Sequence, residues 1–258
     1  MAKTAIISDI HANYHALCAV IEDVQAMLCT DIVCLGDVVG YNAYPAECLD
    51  YVRGLNCPVV KGNHDEEVVS PSLAKMNPVA RQAMDWTREH LNDESLLWLS
   101  RLQYQRIVRT DSGRAFSIVH SSLDHPKSWN YIINANDAAS HFERQLPQIQ
   151  VCFHGHTHVP KIFVSNRVQT VEDHEVIHDL YIKGYTEFLL QDGLQYFINV
   201  GSVGQPRDTD SRACYAIYDS DINSIIIKRV QYDIRAAQDA IKAAKLPPYL
   251  ADRLERGC

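Results

Sequence analysis

Apolar residues in this chain follow two rhythms, and the way the rhythms alternate predicts an architecture. Thr4 to Ser8 (TAIIS) is a short apolar run that reads as a buried strand. From Tyr14 to Leu28 the apolar residues Leu17, Val20, Ile21, Val24 and Leu28 recur at helical spacing, with Asn13 placed to cap the first turn. Asp31 to Leu35 (DIVCL) is strand-like again and stops at Gly36-Asp37. Pro45 to Arg53 reads as a short helix with proline in its first turn. Pro58 to Lys61 (PVVK) is a third strand, ending at Gly62-Asn63-His64-Asp65. This β-α-β-α-β order predicts a parallel sheet covered by helices on its outer face.

Two more helices are expected, one opened by Asn77-Pro78 and running to about Leu91, the other from Asp93 to Arg101. Strand patterns then dominate at Gln105–Arg109, Arg114–His120, Gln150–Phe153 and Lys161–Val164, with a helix at Asn136–Gln145 between them. Leu180 to Val200 contains strand-like pieces broken by Asp192-Gly193, a dipeptide suited to a hairpin turn. Ala213–Tyr218 and Ser224–Val230 form a further pair, and Asp233–Lys245 a terminal helix stopped by Pro247-Pro248. No internal repeat, low-complexity segment or linker interrupts the pattern, so residues 1–258 are expected to form one domain.

Composition narrows the class. No run of about 18 apolar residues is present, so no membrane span is expected, and the N-terminal MAKTAIISDI reads as a strand, not a signal peptide. The eight cysteines include no C-x-x-C pair, which suits reduced thiols in the cytoplasm better than a disulfide framework. A formal net charge of −8 without a dense Lys/Arg run argues against stable binding to nucleic acid. An acidic chain can still take an anionic substrate where bound metal ions reverse the local field.

The most unusual stretch is VCFHGHTHVP, residues 151–160, with imidazoles at 154, 156 and 158. A metal site, an acid–base cluster and an accident of a loop are the competing explanations. Other chemistry falls at comparable places: Asp9 and His11 past the first strand, Asp37 past the second, Asn63 and His64 past the third, and His120 at the end of Arg114–His120. In α/β sheets, loops beyond the carboxyl ends of neighbouring strands lie side by side, so these groups can meet at one rim. Aspartate oxygens with imidazole nitrogens suit Zn²⁺, Mn²⁺ or Fe²⁺ better than Mg²⁺ or Ca²⁺.

Asp9-Ile10-His11, Gly36-Asp37-Val38-Val39-Gly40, Gly62-Asn63-His64-Asp65, Val119-His120 and Gly155-His156-Thr157-His158 resemble, in order and form, the motifs of the calcineurin-like metallophosphoesterases. GDVVGYNAYPAECLDYVR and NVGSVGQPRDTDSRACYAIYD are similar to the small bacterial and archaeal predicted phosphodiesterases of that superfamily, extending the likeness over nearly the whole chain. The resemblance implies a four-layer α/β/β/α sandwich of two mixed sheets flanked by helices. It further implies two divalent ions bridged by Asp37, one held by Asp9, His11 and His158, the other by Asn63, His120 and His156. Mn²⁺ is the expected ion, with Fe, Zn²⁺ or Ni²⁺ as alternatives. The implied reaction is in-line attack of a metal-bridging hydroxide on a phosphate ester, a nucleotide among the candidates, with His64 as an imidazolium that stabilises charge or protonates the leaving oxygen. Asp65 either orients the His64 ring or caps the following turn.

Some residues stay open at this level. His154 is expected to support or pack beside the site, and His125 to sit in a solvated loop; His15, His90, His141, His174 and His178 receive no role. Arg207 suits a substrate phosphate or a surface ion pair. Tyr41 and Asn42, and likewise Trp129 and Tyr131, are candidates for the site mouth, and Asn199–Ser202 for a tight loop near the rim. The same metal core also fits a protein serine/threonine phosphatase or a dinucleoside polyphosphate hydrolase. A non-catalytic scaffold should have lost ligands, and here every ligand position is filled. Neither the substrate nor the oligomeric state is readable at this level.

Overall fold

The computed structural model describes residues 3–70, 77–166, 175–181 and 185–258, with only the backbone of 175–181 considered. In chain order the first elements are β1 (Lys3–Ile7), α1 (Tyr14–Ala26), β2 (Asp31–Cys34), α2 (Pro45–Gly54), α3 (Asn63–Val69), α4 (Pro78–Glu89) and α5 (Asp93–Ser100). Next come β3 (Gln105–Arg109), β4 (Ala115–Val119), a 3₁₀ turn at Pro126–Ser128, α6 (Ala135–Arg144), β5 (Val151–His154), β6 (Lys161–Asn166), β7 (Glu175–Tyr181), β8 (Thr186–Leu189) and β9 (Leu194–Asn199). The chain continues with β10 (Ala213–Asp219), β11 (Ser224–Val230), α7 (Ile234–Ala243) and α8 (Pro248–Arg256). Asparagines start four of the helices: the side chains of Asn13, Asn77 and Asn92 accept from the amides of Ala16, Ala80 and Ser95 at 3.1, 2.9 and 2.8 Å, and Asn134 accepts from those of Asn136 and Asp137 at 2.9 and 3.1 Å.

Two mixed sheets result, ordered β2-β1-β10-β11-β8 and β3-β4-β5-β9-β6-β7. Strand alternation decides which layer each side chain enters. On β1, Ile6 faces the second sheet while Ala5 and Ile7 pack under α1. On β5, Val151 and Phe153 join Ile6, Phe116 and Tyr218 between the sheets, while Cys152 joins Phe142 of α6 on the outer side. Helices therefore cover both outer faces of a double sheet, giving the four-layer sandwich.

Several local expectations need correction. The parallel β-α-β-α-β sheet does not form: only β1 and β2 run parallel in the first sheet, and β10, β11 and β8 add to it in antiparallel fashion. Pro58–Lys61 makes only isolated bridges, Cys34 to Val59 and Val60 to Gln103; the Pro58 nitrogen has no proton to extend the ladder. Asp192-Gly193 does not close a hairpin either. β8 lies in the first sheet and β9 in the second, so this turn carries the chain between layers. The helix at Asp233–Lys245 ends before Pro247-Pro248 as expected but is not the terminal one: Pro248 opens the first turn of α8, where a missing N–H costs nothing. His174 lies outside the described residues, and only the backbone of His178 is described.

Candidate metal centre

The parallel strands aim their carboxyl ends at one place. β1 and β2 deliver Asp9, His11 and Asp37, and the adjacent pair β4 and β5 delivers His120, His156 and His158. Backbone hydrogen bonds weld the rims: Asp9 N–H donates to Gly36 at 3.0 Å, His11 N–H to Asp37 at 2.9 Å and Gly155 N–H to His120 at 3.0 Å. Turning side chains inward at these short corners takes left-handed backbone, with φ of 53° at Asp9, 49° at His11, 51° at Asp37, 68° at His156 and 62° at His158. Non-glycine residues adopt this region at a cost, and such strain collects at functional sites. Gly155 meets a different demand, because a Cβ there would collide with Ser8 and the Asp9 carboxylate.

All seven predicted ligand positions converge here, and the histidines among them are buried. Each imidazole is fixed through one ring nitrogen. Nδ1 of His11, His120 and His158 stands 3.2, 2.8 and 2.5 Å from the carbonyl oxygens of Val39, Leu35 and Gln205. His156 uses the opposite nitrogen, Nε2, 2.8 Å from the Trp129 carbonyl. A carbonyl only accepts, so the anchored nitrogen donates and the free one turns a lone pair inward.

The carboxylates are split in the same way. Asp9 Oδ2 accepts from Ser8 Oγ at 2.6 Å and His156 N–H at 3.0 Å, while its buried Oδ1 has no hydrogen-bond partner. Asp37 Oδ1 accepts from His64 N–H at 2.8 Å, and Oδ2 faces His120 and His11.

Distances among the inward atoms test whether metal ions fit. Asp9 Oδ1 is 3.1 Å from His158 Nε2 and 3.8 Å from His11 Nε2. Asp37 Oδ2 is 3.5 Å from His11 Nε2 and 3.3 Å from His120 Nε2, and Asn63 Oδ1 is 3.2 Å from the same His120 atom. Donors sharing an ion at bond lengths of about 2.0–2.2 Å lie roughly 3–3.5 Å apart. His11 Nε2 and His158 Nε2 are 3.1 Å apart with Nδ1 of each on a carbonyl, so two lone pairs point at each other. A cation between them removes that conflict. Candidate donor groups form as Asp9/His11/His158 and Asp37/His120/His156, and a third, His11/Asp37/His64, is close enough to count. The residues present therefore fit divalent cations.

At three of the four rings, electrostatics favour ligand chemistry. Burial pushes His156 down to about 3 and lowers His11 and His158, so these rings are neutral and offer lone pairs near pH 7. Burial opposes charge on His120 too, but Asp37 and Asp9 overcome it and lift the ring to about 9. Burial holds His64 down to about 4, with Asp37 working against it.

His64 packs against Tyr41 and His11, with ring centroids 4.4 and 4.7 Å away, and its Nδ1 lies 3.1 Å from Met84 Sδ. Gly40, at φ 96°, makes room for that ring: a Cβ would stand 2.6 Å from Nδ1. Asp65 does not orient His64. Its carboxylate accepts the N–H groups of Asp37 (2.8 Å), Val38 (3.0 Å), Val39 (3.4 Å) and Gly62 (3.0 Å), cradling the Asp37 corner. Burial and the Asp37 charge push this carboxyl up to about 7 against those four donors.

A cavity of about 500 Å³ opens beside the donors, lined by Tyr41, Lys127, Trp129, Tyr131 and Arg207 among others. Among the described residues Arg207 makes no ion pair; it donates to Tyr131 Oη at 3.3 Å and Gln205 Oε1 at 3.0 Å. Asn42 does not reach the cavity: it is buried, and its amide donates to the His11 carbonyl at 2.7 Å. His154 stacks on Phe197 at 3.7 Å, outside the donor groups. His125 caps the 3₁₀ turn and borders a neighbouring hollow.

Sequence patterns did not single out Ser8 or Gln205, and placed Asn199 only in a loop near the rim. Asn199 Nδ2 donates to Gly155 O at 2.6 Å and Thr157 Oγ1 at 2.9 Å, and its Oδ1 accepts from Gly201 N–H at 2.9 Å. It thereby ties the histidine corner to the Asn199–Ser202 loop, whose place near the rim was the only available signal.

A family model for the calcineurin-like phosphoesterase superfamily domain matches residues 2–223. An uncharacterized protein of Methanocaldococcus jannaschii is 36% identical over 254 residues, covering 98% of this chain and 97% of its own length. A metallophosphoesterase from Sphaerobacter thermophilus, solved by crystallography, is 39% identical with a TM-score of 0.84 over 100% of this chain and 99% of its own. A symmetrical bis(5'-nucleosyl)-tetraphosphatase of Erwinia tasmaniensis is 31% identical over 125 residues, covering 47% of this chain and 44% of its own length.

Proposed function

This chain belongs to the calcineurin-like phosphoesterase superfamily, and on that premise we propose that it is a two-metal phosphoesterase acting on phosphodiesters. One observation carries the reading: every buried donor has one atom tied to backbone or a neighbouring hydroxyl and the other turned into a shared space. Asp9, His11 and His158 would hold one ion and Asn63, His120 and His156 the other, with Asp37 between them. Divalent ions bound there supply Lewis acidity toward a phosphoryl oxygen and a nucleophilic water at neutral pH.

The protein supplies order around that chemistry. The Asp65 cradle fixes the Asp37 corner, and the Asn199 amide fixes the corner bearing His156 and His158. His64, with Nδ1 against Met84, leaves Nε2 as the ring atom for a proton exchanged with the leaving oxygen. Phosphate charge brought beside the ring would favour its protonated form, opposing the burial that now keeps it neutral. Tyr41, Trp129 and Tyr131 line the cavity where the ester's organic groups would lie.

The reading is tested by assaying protein loaded with Mn²⁺, Fe²⁺ or Zn²⁺ against bis-p-nitrophenyl phosphate, with thermal melting in parallel. Turnover that stops with chelator, together with a metal-dependent rise in melting temperature, is expected; an ion at 100 times its Kd adds about 2.7 kcal/mol of stability. Activity indifferent to thorough metal removal would sink the proposal. A second reading, hydrolysis of dinucleoside polyphosphates, is favoured by the 31% identity to the tetraphosphatase over 125 aligned residues.

A further inference from the structure

The cavity beside the donor cluster has an unusual charge balance. Its acids have cationic partners: Glu66 accepts from Lys61 at 2.9 Å and from Tyr104 Oη at 3.1 Å, and Glu67 accepts from Arg81 at 2.7 Å. Its cations lack acidic ones. Among the described residues, neither Arg207 nor Lys127 has a carboxylate within 4.0 Å, in a chain of formal net charge −8. Arg207 is held by two neutral acceptors, Tyr131 Oη and Gln205 Oε1, and its buried Nε has no partner. Lys127, on the 3₁₀ turn, rests over the Tyr104 ring at 4.6 Å. Behind Tyr41 stands a third cation: the Arg253 guanidinium of α8 is 5.9 Å from that ring, the same distance as Arg207. Burying the Arg207 guanidinium near Arg253 with no carboxylate beside it is costly unless an anion joins it, and the exposed Lys127 lines the same cavity.

Position explains the design. Arg207 follows Gln205, whose carbonyl anchors His158, and its own amide donates to the His158 carbonyl at 3.2 Å. The segment that fixes a donor thus also fixes the guanidinium, whose planar fork suits phosphate oxygens. Two divalent ions against Asp9 and Asp37 leave a surplus of two positive charges, which one nucleophilic hydroxide and one monoanionic diester neutralise. Arg207 and Lys127 then remain uncompensated, and a further phosphate on the same substrate would match them.

We propose that Arg207, with Lys127 across the cavity, is a binding subsite for a second phosphate, so that the preferred substrates carry two or more phosphates in a chain, as dinucleoside polyphosphates do. This rests on the phosphoesterase reading above, and the test separates the two. Wild type and Arg207→Gln, both Mn²⁺-loaded, are compared on diadenosine tetraphosphate and bis-p-nitrophenyl phosphate, while calorimetry measures inorganic tripolyphosphate against orthophosphate. The expected result is a drop of about 10- to 100-fold in the kcat/KM ratio of tetraphosphate to diester, the size of a charge-assisted hydrogen bond. A matching loss of tripolyphosphate affinity should appear, with Arg207→Lys recovering part of it. Equal losses on both substrates, or tripolyphosphate binding no tighter than orthophosphate in wild type, overturns the subsite. Absence of turnover on either ester would remove the hydrolase reading, and the calorimetric comparison would still decide the subsite.

Discussion

Two groups of buried histidines lie back to back in this molecule. At the rim, His11, His120, His156 and His158 each give one nitrogen to a backbone carbonyl and turn the other toward Asp9 and Asp37. Behind them, His141 and His154 sandwich Phe197, with ring centroids 3.3 and 3.7 Å away and planes within 20° of parallel. Both groups are buried to a similar degree. What separates them is direction. His11, His156 and His158 sit on left-handed corners, and His120 directly follows the end of β4, so all four aim a ring nitrogen at carboxylates. His141 instead lies on α6 and His154 within β5, where regular geometry sends the rings into apolar packing. Burial lowers the proton affinity of both sets, so desolvation alone does not mark a ligand.

Substitutions should separate the groups, most strongly at the carboxylates. Asp37→Ala removes the donor facing both His11 and His120; kcat should fall by at least about 10³-fold, with loss of bound metal measured by elemental analysis. His64→Ala should cost about 10²- to 10⁴-fold in kcat while metal content stays near wild type. Full metal occupancy in Asp37→Ala would contradict the shared role of that carboxylate.

Asp65→Asn should act more gently, because it touches no ligand atom and only shapes the Asp37 corner. Its amide would face four N–H donors where the carboxylate accepted them, and metal affinity should weaken by about 10- to 100-fold. An unchanged affinity would show that the corner holds its shape without the cradle.

For the rear group the expected signature is acid stability, not turnover. Burial holds His141 down to about 3, despite hydrogen bonding to Gln145 and the nearby Asp124. Its folded value lies below the unfolded one near 6.5, so the stability it contributes is complete above about pH 6.5 and drains as pH falls toward 3. His141→Leu should reduce the slope of unfolding free energy over that window by about 1.4 kcal/mol per pH unit. Urea titrations at pH 4.5 and 7 measure this, and identical slopes in variant and wild type would refute it. The smallest effect is expected at His154: His154→Phe keeps an aromatic ring beside Phe197 and should change stability by less than about 1.5 kcal/mol. Its metal content should match wild type, and loss of an ion would place His154 in the rim group.

Much of this could be read from the sequence, for a simple reason. Asp9, Asp37, His120, His156 and His158 were recognisable because each ends or directly follows an apolar run that can only be a strand. A position past a strand's carboxyl end is legible without knowing which strands are neighbours. Asn63 and His64 were found by the same logic although Pro58–Lys61 forms only bridges, because one short extended segment places its end as a full strand would. Strand alternation left His154 on the side of Cys152 and did not set it apart from the ligands; only the motif pattern the chain resembles did so, and the structure stacks it on Phe197.

The sequence by itself determined most element types, the rim positions and the choice of oxygen and nitrogen donors, since these depend on local periodicity and side-chain chemistry. It missed α3 and α8 and read Pro58–Lys61 as a full strand. Tertiary structure alone decided the rest. It turned the Asp192-Gly193 corner into a passage between sheets, gave Asp65 to the Asp37 corner and not to His64, and buried Asn42 beneath His11. It also brought Arg207 and Lys127 to one cavity, with no acidic partner for either among the described residues. Each of these depends on groups far apart in sequence whose contacts are fixed by packing, and no local pattern encodes which carbonyl or carboxylate will stand across the gap.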